Sequence, residues 1–509
     1  MNTAGAGHSV LRPYSILHGR ERNCFMKKLE FLYDGIPSAG APFISANVNR
    51  AALARFLTRA KELSVDVHAF QVWRDNELEL RMSLPPYDCV DKRHYFSLSK
   101  SFVSTAIGLA CDEGLLSTND RIVDIFPDKL PEYVSENLSK CLVHHVLCMN
   151  SGVEKGTSPV CFSSEDMPKA FLASNFVYEP GTHYCYDTGA TGMLAAIVKR
   201  VTGMSALDYL DLKLFRYMDI RDVYWDRTAD GTIQGGIGLH ASCDDAAKLG
   251  LLYLNRGMWN GRRLLSEEWI DAASSKQTQN GPHQWIDWKS GYGYQFWMSS
   301  RGGYRGDGAF GQYCFILPDR GIVAAALCEA DNLQNAVDVV HEMALELFEK
   351  PFGEGDIETL AEAFYAMPET KTPIFDLPRY FKIEENPFGI TYLKLDTVEK
   401  DFVFAVSDGF SLMNIRCGNG VWRHNRASFE QTFLPDAPSF PVQTSERTAG
   451  ISAAYTYENG IIRAELRCRY SPHHVTVTFE LGADTVTVSL SGLYAKRVPL
   501  STLKGCEVY

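Results

Sequence analysis

One helix that is apolar on nearly every face constrains the fold of this chain more than any other stretch. The run Phe-Val-Ser-Thr-Ala-Ile-Gly-Leu-Ala-Cys begins at Phe102 and is closed by Asp112-Glu113-Gly114. A helix without a polar face lies in the centre of a large folded unit. Other elements must therefore cover this helix on all sides.

A lysine occupies the first turn of this buried helix, in the segment Ser97-Leu98-Ser99-Lys100. The positive end of the helix dipole and the loss of water on burial both favour the neutral amine of Lys100. Residues three apart share one helix face, so the amine can reach the hydroxyl of Ser97. A serine beside a lysine of lowered pKa is an activated nucleophile. The alternative is that Ser97 only caps the helix and that Lys100 is solvated.

The same Ser-x-x-Lys pattern occurs a second time, at Ser501-Thr502-Leu503-Lys504. This second match lies in a short polar tail, and no buried helix follows it. We therefore predict no nucleophile there.

Composition narrows the class of protein. The chain has 509 residues, a formal net charge of −12 and 45% hydrophobic residues, which indicates a globular protein of two or three domains. The negative charge argues against nucleic acid or an anionic membrane as the main partner. No apolar stretch reaches the roughly 20 residues of a membrane span.

The N-terminal segment and the cysteines bear on localisation. The segment before Met26, a plausible alternative start, lacks the apolar core of a secretory signal. The chain has 13 cysteines and no Cys-x-x-Cys pair, which predicts mostly buried free thiols in a reducing compartment. We therefore predict a cytoplasmic protein.

The order of the predicted elements indicates an α+β fold followed by an all-β domain. We predict an edge-type hairpin at 67–73 and 78–82, a helix at 189–201, a strand at 291–298 and a central strand at 322–328. Strands at both ends of a helical middle predict an antiparallel sheet with helices on its faces. Alternating strands near the C-terminus predict a sandwich or barrel.

These patterns divide the chain into four segments. We predict a disordered N-terminal extension at 1–30, a first domain at 31–350, a linker at 351–375 and an all-β domain at 376–509. We find no arrangement of nucleophile and base in the last segment, so the chemistry is predicted for the first domain.

Tyr186 is the candidate partner of Ser97 and Lys100. It lies in Tyr184-Cys185-Tyr186-Asp187-Thr188, just before the second apolar helix. A phenol near a cationic lysine can have a lowered pKa and act as general acid or base. On spacing alone, packing of Tyr186 beside a helix cap formed by Asp187 or Thr188 is the favoured interpretation.

The order of several motifs resembles the serine β-lactamase and penicillin-binding-protein superfamily, in particular the class C-like, β-lactamase-related serine hydrolases. The resemblance covers 52–348 and rests on Ser97-Leu-Ser-Lys100-Ser-Phe and on the later Tyr186. Further segments match in the same order, including Glu179-Pro-Gly-Thr-His-Tyr-Cys-Tyr and Gly235-Gly-Ile-Gly-Leu-His. The resemblance implies the fold of that superfamily, with Ser97, Lys100 and Tyr186 as catalytic residues.

The resemblance also implies substrate-binding positions, with two departures. Thr188 stands where the family commonly has the Asn of Tyr-x-Asn. The third motif, Lys-Thr-Gly or His-x-Gly, corresponds to Gly306-Asp307-Gly308, in which the cation or imidazole is absent and an acid, Asp307, is close by. Recognition of a substrate carboxylate is therefore not expected. By analogy, the backbone N–H groups of Ser97 and Ala309 would hold the oxyanion.

Other motifs do not predict function. Lys289-Ser290-Gly291 lies one strand too early to be the third motif. The stretch from Gly306 to Gly311 matches Gly-x-Gly-x-x-Gly, but a strand follows it rather than the helix of a dinucleotide site. The adjacent pairs His144-His145 and His473-His474 are expected to point apart. We predict neither a cofactor nor a metal.

We therefore expect a serine hydrolase that acts on an ester or amide through an acyl-enzyme on Ser97. The expected partner is a small-molecule or peptide acyl substrate, and a homo-oligomer is possible. Two alternatives stay open: a D-amino-acid peptidase or amidase, with Asp307 near the substrate amine, and a non-catalytic binding protein that kept the fold.

Overall fold

The computed structural model describes residues 42–370, 378–427, 449–493 and 502–508. The predicted extension at 1–30 and Ser501 of the second Ser-x-x-Lys match lie outside these ranges. Two separate hydrophobic cores organise the described chain, one up to Tyr365 and one from Phe381 onward. Part of the predicted linker is also outside the described ranges, and the domain boundaries stay predictions.

The first core is built on an antiparallel seven-stranded sheet in the order β1-β3-β2-β12-β11-β10-β9. All eight residues of its strand β12 are buried, as the apolar run in the sequence predicts. The strands of this part are β1 Phe43–Ile44, β2 Asp66–Arg74, β3 Glu77–Ser83, β4 Arg93–His94, β5 Tyr224–Trp225, β6 Leu239–Ala241, β7 Met258–Trp259, β8 Arg262–Arg263, β9 Trp297–Met298, β10 Tyr304–Gly308, β11 Gln312–Leu317 and β12 Ile322–Glu329.

Helices cover the sheet, and side-chain caps begin many of them. Asn49, Asp187 and Ser242 each accept a hydrogen bond from a backbone N–H in the first turn of the helix they precede. The α-helices are α1 Arg50–Glu62, α2 Ser99–Asp112, α3 Ile122–Ile125, α4 Glu136–Lys140, α5 Val143–Leu147, α6 Ser158–Ser163, α7 Met167–Leu172, α8 Thr188–Thr202, α9 Ala206–Leu210, α10 Arg216–Met218, α11 Cys243–Leu254, α12 Glu267–Ser274, α13 Leu333–Glu346 and α14 Ile357–Phe364.

The second core lies inside a ten-stranded sheet that closes on itself. Its order is β16-β15-β14-β13-β22-β21-β20-β19-β18-β17, and a parallel pairing of β16 with β18 completes a barrel-like wall. Its strands are β13 Arg379–Ile383, β14 Tyr392–Val398, β15 Asp401–Ser407, β16 Leu412–Asn419, β17 Arg423–Ala427, β18 Ala449–Glu458, β19 Ile461–Cys468, β20 His474–Leu481, β21 Thr485–Ser491 and β22 Thr502–Glu507.

The predicted fold class is confirmed: an antiparallel sheet with helices on its faces is followed by an all-β domain. Two local predictions are wrong. Only Trp297–Met298 of the predicted strand 291–298 pairs as β9, because Gly291 and Gln295 have positive φ angles that interrupt an extended chain. The hairpin of β2 and β3 is not at the edge, because β2 pairs with β12 and β1 covers β3.

The all-β domain docks beside the segment that leads to Ser97. The carbonyl of Tyr470 accepts a hydrogen bond from the backbone N–H of His94 at 2.8 Å. The Arg467 guanidinium lies 3.1 Å from the Asp66 carboxylate, and Arg469 pairs with Asp91. The loop between β19 and β20 therefore meets β4, directly before the candidate nucleophile.

Candidate functional site

The structure brings Ser97 and Lys100 into contact at the start of helix α2. A single 3-10 turn, Phe96–Leu98, holds Ser97, and the α-helix begins at Ser99. Twelve of the fourteen residues of α2 are buried, which confirms that the helix is central. The Nζ atom of Lys100 lies 2.9 Å from the Oγ atom of Ser97.

The amine of Lys100 has two further acceptors. It lies 3.1 Å from the Thr188 hydroxyl and 2.7 Å from the carbonyl oxygen of Gly236. Three acceptors match the three donors of an ammonium group. A Cβ atom at position 236 would lie 2.5 Å from the Thr188 carbonyl oxygen, so only a glycine lets this loop approach. The Gly235-Gly236 pair in the sequence was the signal for this acceptor, which we had not predicted.

Burial lowers the pKa of Lys100 and so favours the neutral amine. Desolvation lowers the pKa of Lys100 to about 7, although the carboxylates of Asp187 and Asp307 oppose this shift. The Asp187 carboxylate is occupied elsewhere, because it accepts hydrogen bonds from the backbone and hydroxyl of Thr157 and from the N–H of Gly189. A large neutral fraction of Lys100 is therefore present near neutral pH.

Tyr186 lies beside this pair. The Nζ atom of Lys100 is 4.9 Å from the centre of the Tyr186 ring, and Tyr186 packs on Trp297 with ring centres 5.3 Å apart. Burial raises the pKa of Tyr186, and a hydrogen bond with Ser97 opposes this only in part. The expectation of a lowered phenol pKa is therefore wrong: desolvation outweighs the nearby lysine, which faces the ring rather than the oxygen.

Glycines bring strand β10 against residues 95–98, the nucleophile segment that contains Ser97. A Cβ atom at Gly308 would lie 2.1 Å from the Tyr95 carbonyl oxygen, and one at Gly306 would lie 2.5 Å from the Leu98 side chain. Both positions face the same way, because side chains alternate along a strand. A Cβ atom at Gly308 would also lie 3.1 Å from the backbone nitrogen of Leu98, so the end of β10 packs against the turn that holds Ser97.

Asp307 lies on the opposite face of β10, where it pairs with a cation that the sequence analysis missed. The Arg305 Nε atom is 2.9 Å from the Asp307 carboxylate, and the Arg305 side chain is fully buried. The guanidinium also lies 3.7 Å from Asp287 and 4.7 Å from the centre of the Trp288 ring. The two-residue spacing of 305 and 307 on one strand was the available signal.

The cluster of Arg305, Asp287 and Asp307 carries a net charge of −1 when both carboxylates are ionised. Burial raises the pKa of Asp307 to about 6, although Arg305 opposes the shift. Asp307 is therefore mostly ionised at neutral pH. The Asp307 side chain is only 5% exposed, so its charge can affect a substrate mainly through the electrostatic field and not through direct contact.

Two clusters have the residue types of a metal site. In the first, His94 and His240 approach Asp226, at 3.5 and 3.0 Å. The N–H of Phe96 donates to His94 Nδ1 at 3.1 Å, so the His94 proton lies on Nε2, toward Asp226. His94 is thus oriented as a hydrogen-bond donor and not as a metal ligand.

The second cluster joins Glu329 to Asp66 and His474, and His473 binds the same carboxylate. His473 Nδ1 lies 3.1 Å from Glu329 Oε1, and His474 Nδ1 contacts the other carboxylate oxygen. Burial alone would raise the pKa of Glu329, but the two histidines lower it to about 2. The expectation that these histidines point apart is wrong, because His473 precedes strand β20 and does not follow its alternation.

The remaining predicted positions are also located. Lys289-Ser290-Gly291 lies in the segment before β9 and so one strand before β10, as predicted. All cysteines in the described ranges are free thiols, and most are buried. Within those ranges, no helix combines the length and apolar composition needed to cross a membrane.

Comparison with known proteins identifies the family. The family described as "Beta-lactamase" matches residues 70–346, which is more than half of the chain. A 6-aminohexanoate-dimer hydrolase of Paenarthrobacter ureafaciens is 26% identical over 287 residues, 51% of this chain and 71% of that protein.

Two solved structures are similar to this chain. A penicillin-binding-protein homologue from Caulobacter crescentus is similar with a TM-score of 0.50 and 15% identity, covering 60% of this chain and 100% of that one. An octameric penicillin-binding-protein homologue from Pyrococcus abyssi has a TM-score of 0.48 and 15% identity, covering 89% of this chain and 99% of that one. The chain belongs to the beta-lactamase family of serine hydrolases.

Proposed function

We propose that this chain hydrolyses an ester or amide through an acyl-enzyme on Ser97. The observation that carries the proposal is the 2.9 Å contact between Ser97 Oγ and the buried amine of Lys100, whose pKa is lowered to about 7. A neutral amine in hydrogen-bond reach of a hydroxyl is the arrangement that activates a serine nucleophile.

The acylation step follows from this geometry. Neutral Lys100 takes the proton of Ser97 as Oγ attacks the substrate carbonyl carbon. The N–H groups of Ser97 and Ala309 stabilise the oxyanion of the tetrahedral intermediate. The intermediate collapses as the bond to the leaving group breaks and the Tyr186 hydroxyl protonates that group. Lys100 then returns a proton to Tyr186.

Deacylation uses the same residues with water as the nucleophile. Lys100 and Tyr186 remove a proton from water, which attacks the acyl carbon, and Ser97 Oγ leaves and is reprotonated. Thr188 holds the lysine amine from the side of helix α8, at 3.1 Å. It therefore orients the base in a position where relatives commonly carry an asparagine.

The charge around Asp307 favours neutral or cationic substrates. Asp287 and Asp307 flank the single guanidinium of Arg305, which is buried and already bound to both. No free cation of this cluster is left for a substrate carboxylate. Penicillins and cephalosporins, which carry such a carboxylate, are therefore poor candidates.

An amidase that acts on D-aminoacyl or other amine-bearing amides is the second candidate. The excess negative charge at Asp307 and Asp287 supports a substrate with an amine near the scissile bond. The similarity to a 6-aminohexanoate-dimer hydrolase also favours a substrate built from amino-acid units. The free, mostly buried cysteines support a cytoplasmic location for this activity.

Labelling with a fluorophosphonate probe tests the nucleophile. We expect wild-type protein to be labelled on Ser97, and S97A to lose labelling and hydrolysis while keeping its fold. S163A is the matched control, because Ser163 is exposed at the end of helix α6. Activity of S97A above about a tenth of wild type, equal to 1.4 kcal/mol of barrier, would contradict the assignment.

A substrate panel then distinguishes the candidates. p-Nitrophenyl acetate, D-alanine p-nitroanilide and nitrocefin report esterase, D-amidase and β-lactamase activity. Turnover of the anilide without turnover of the ester would select the amidase. An unlabelled Ser97 with no turnover of any of the three would favour the non-catalytic binding protein.

A further inference from the structure

Two phenylalanines flank the backbone groups proposed to bind the oxyanion. Phe96 precedes Ser97 and Phe310 follows Ala309. Both have left-handed backbones, with φ angles of 48° and 65°. Such angles are uncommon for residues other than glycine and need support from their surroundings. The two rings meet edge to face, with centres 5.1 Å apart.

A residue of the all-β domain completes this contact. The His473 ring lies 4.6 Å from the Phe310 ring and 6.1 Å from the Phe96 ring, measured between centres, in both cases edge to face. The His473 side chain is only 8% exposed. Glu329, the last residue of the central strand β12, holds its Nδ1 atom at 3.1 Å.

The first domain supports Phe96 from its other side. His94 Nδ1 accepts the Phe96 N–H at 3.1 Å, and the two rings lie 4.1 Å apart. Phe96 is thus enclosed between one imidazole tied to Asp226 and another tied to Glu329. Phe310 contacts both His473 and Phe96.

We propose that His473 is a positioning residue for the oxyanion hole, and that the all-β domain is part of the catalytic apparatus for this reason. The inference rests on the proposed function. His473 does not touch the reacting atoms. It packs against the rings of Phe96 and Phe310, and the backbones of these two residues form the turns next to Ser97 and Ala309. Because oxyanion donors act only at short range, a shift of either turn weakens transition-state binding.

Two substitutions separate the role of the ring from that of the hydrogen bond. H473N removes the ring and keeps a side-chain donor for Glu329, whereas H473F keeps a ring and loses the donor. H474N is the matched control, because His474 binds the other oxygen of the same carboxylate and is the neighbouring residue in the chain. Thermal unfolding reports the folded state of each variant.

Kinetics and a transition-state mimic provide the readout. We expect H473N to lower kcat/KM for p-nitrophenyl acetate at least tenfold, while H473F and H474N stay within threefold of wild type. Phenylboronic acid forms a tetrahedral boronate when Ser97 Oγ adds to boron and the Ser97 proton passes to Lys100, and one boronate oxygen then lies in the oxyanion hole. Its inhibition constant should rise in H473N by about the same factor as kcat/KM falls.

Each other result overturns the inference. H473N within threefold of wild type shows that the ring does not position the donors. Equal losses in H473N, H473F and H474N show that only domain docking matters. A wild-type protein that neither hydrolyses the ester nor is labelled by a fluorophosphonate removes the proposed function and this inference with it, whereas a labelled wild type with active H473N removes this inference alone.

Discussion

The Nζ atom of Lys100 lies over the face of the Tyr186 ring, 4.9 Å from its centre, while also contacting Ser97. We expect groups this close to act as one proton-transfer unit. We expect K100M to be nearly as damaging as S97A, and Y186F to cause a smaller but still large loss. The double variant should be little worse than K100M, because losses within a unit are not additive. Steady-state kinetics of the three variants measures this, and fully additive losses would contradict it.

The lowered pKa of Lys100 predicts the pH dependence of acylation. The base must be neutral, and its neutral fraction falls as the pH drops through about 7. We therefore expect the rate of Ser97 labelling to decrease about tenfold per unit well below this pH, and to reach a plateau above it. A pH profile of fluorophosphonate inactivation checks this; a flat profile between about pH 5.5 and 9 would exclude Lys100 as the base.

The same shift predicts a pH dependence of stability. The unfolded chain keeps Lys100 protonated up to its ordinary pKa of 10.5, whereas the folded protein releases the proton above about 7. The folded state binds fewer protons in this window, so the free energy of unfolding rises with pH. Relative to K100M, wild type should gain about 1 kcal/mol between pH 7 and 8.

Urea unfolding of both proteins at the two pH values measures this difference. K100M serves as the reference because groups other than Lys100 titrate equally in the two proteins. A difference in unfolding free energy that does not change with pH would show that the pKa of Lys100 is not lowered by folding.

Gly308 is required by the close approach of β10 to the nucleophile segment. An added Cβ atom would lie 2.1 Å from the Tyr95 carbonyl oxygen, so the strand must move away in G308A. We expect kcat to fall by about a hundredfold or more, the effect of losing one oxyanion donor. G281A is the control, because its Cβ atom would meet nothing within 4 Å. Equal activities of folded G308A and G281A would exclude Ala309 as an oxyanion donor.

Asp307 is expected to exclude anionic substrates. A like charge a few ångströms away costs on the order of 1–4 kcal/mol. We expect weak or absent nitrocefin hydrolysis by wild type, and a rise of about tenfold or more in D307N relative to ester turnover. We choose D307N for this test rather than D307K, because a lysine at this position would face the buried guanidinium of Arg305.

Kinetics on nitrocefin and p-nitrophenyl acetate gives this ratio. An unchanged ratio in D307N would remove Asp307 as a specificity determinant. Efficient nitrocefin hydrolysis by wild type would also contradict the prediction, and it would direct attention to Lys289-Ser290-Gly291 as the group that binds the substrate carboxylate.

A contact could be predicted from the sequence where both residues lie on one helix or strand, because their spacing along that element determines whether they meet. Ser97 and Lys100 are three residues apart on one helical segment, and the apolar run after them requires burial. Both the pairing and the environment of the lysine could therefore be predicted. The strand β12, which is apolar from Ile322 to Cys328, and the alternating strands of the second domain were predictable for the same reason, because periodicity reports which faces are buried.

Tertiary structure decided everything that depends on elements distant in sequence. Gly236 reaches Lys100, and His473 reaches Phe96 and Phe310, only because loops from separate parts of the chain meet there. The direction of the Tyr186 pKa shift also required the fold, since the net shift depends on how much water the surrounding rings exclude. The sequence by itself determined the contact between Ser97 and Lys100 and the fold class, because both follow from local spacing and periodicity, whereas the packing of the two domains decided what surrounds that pair.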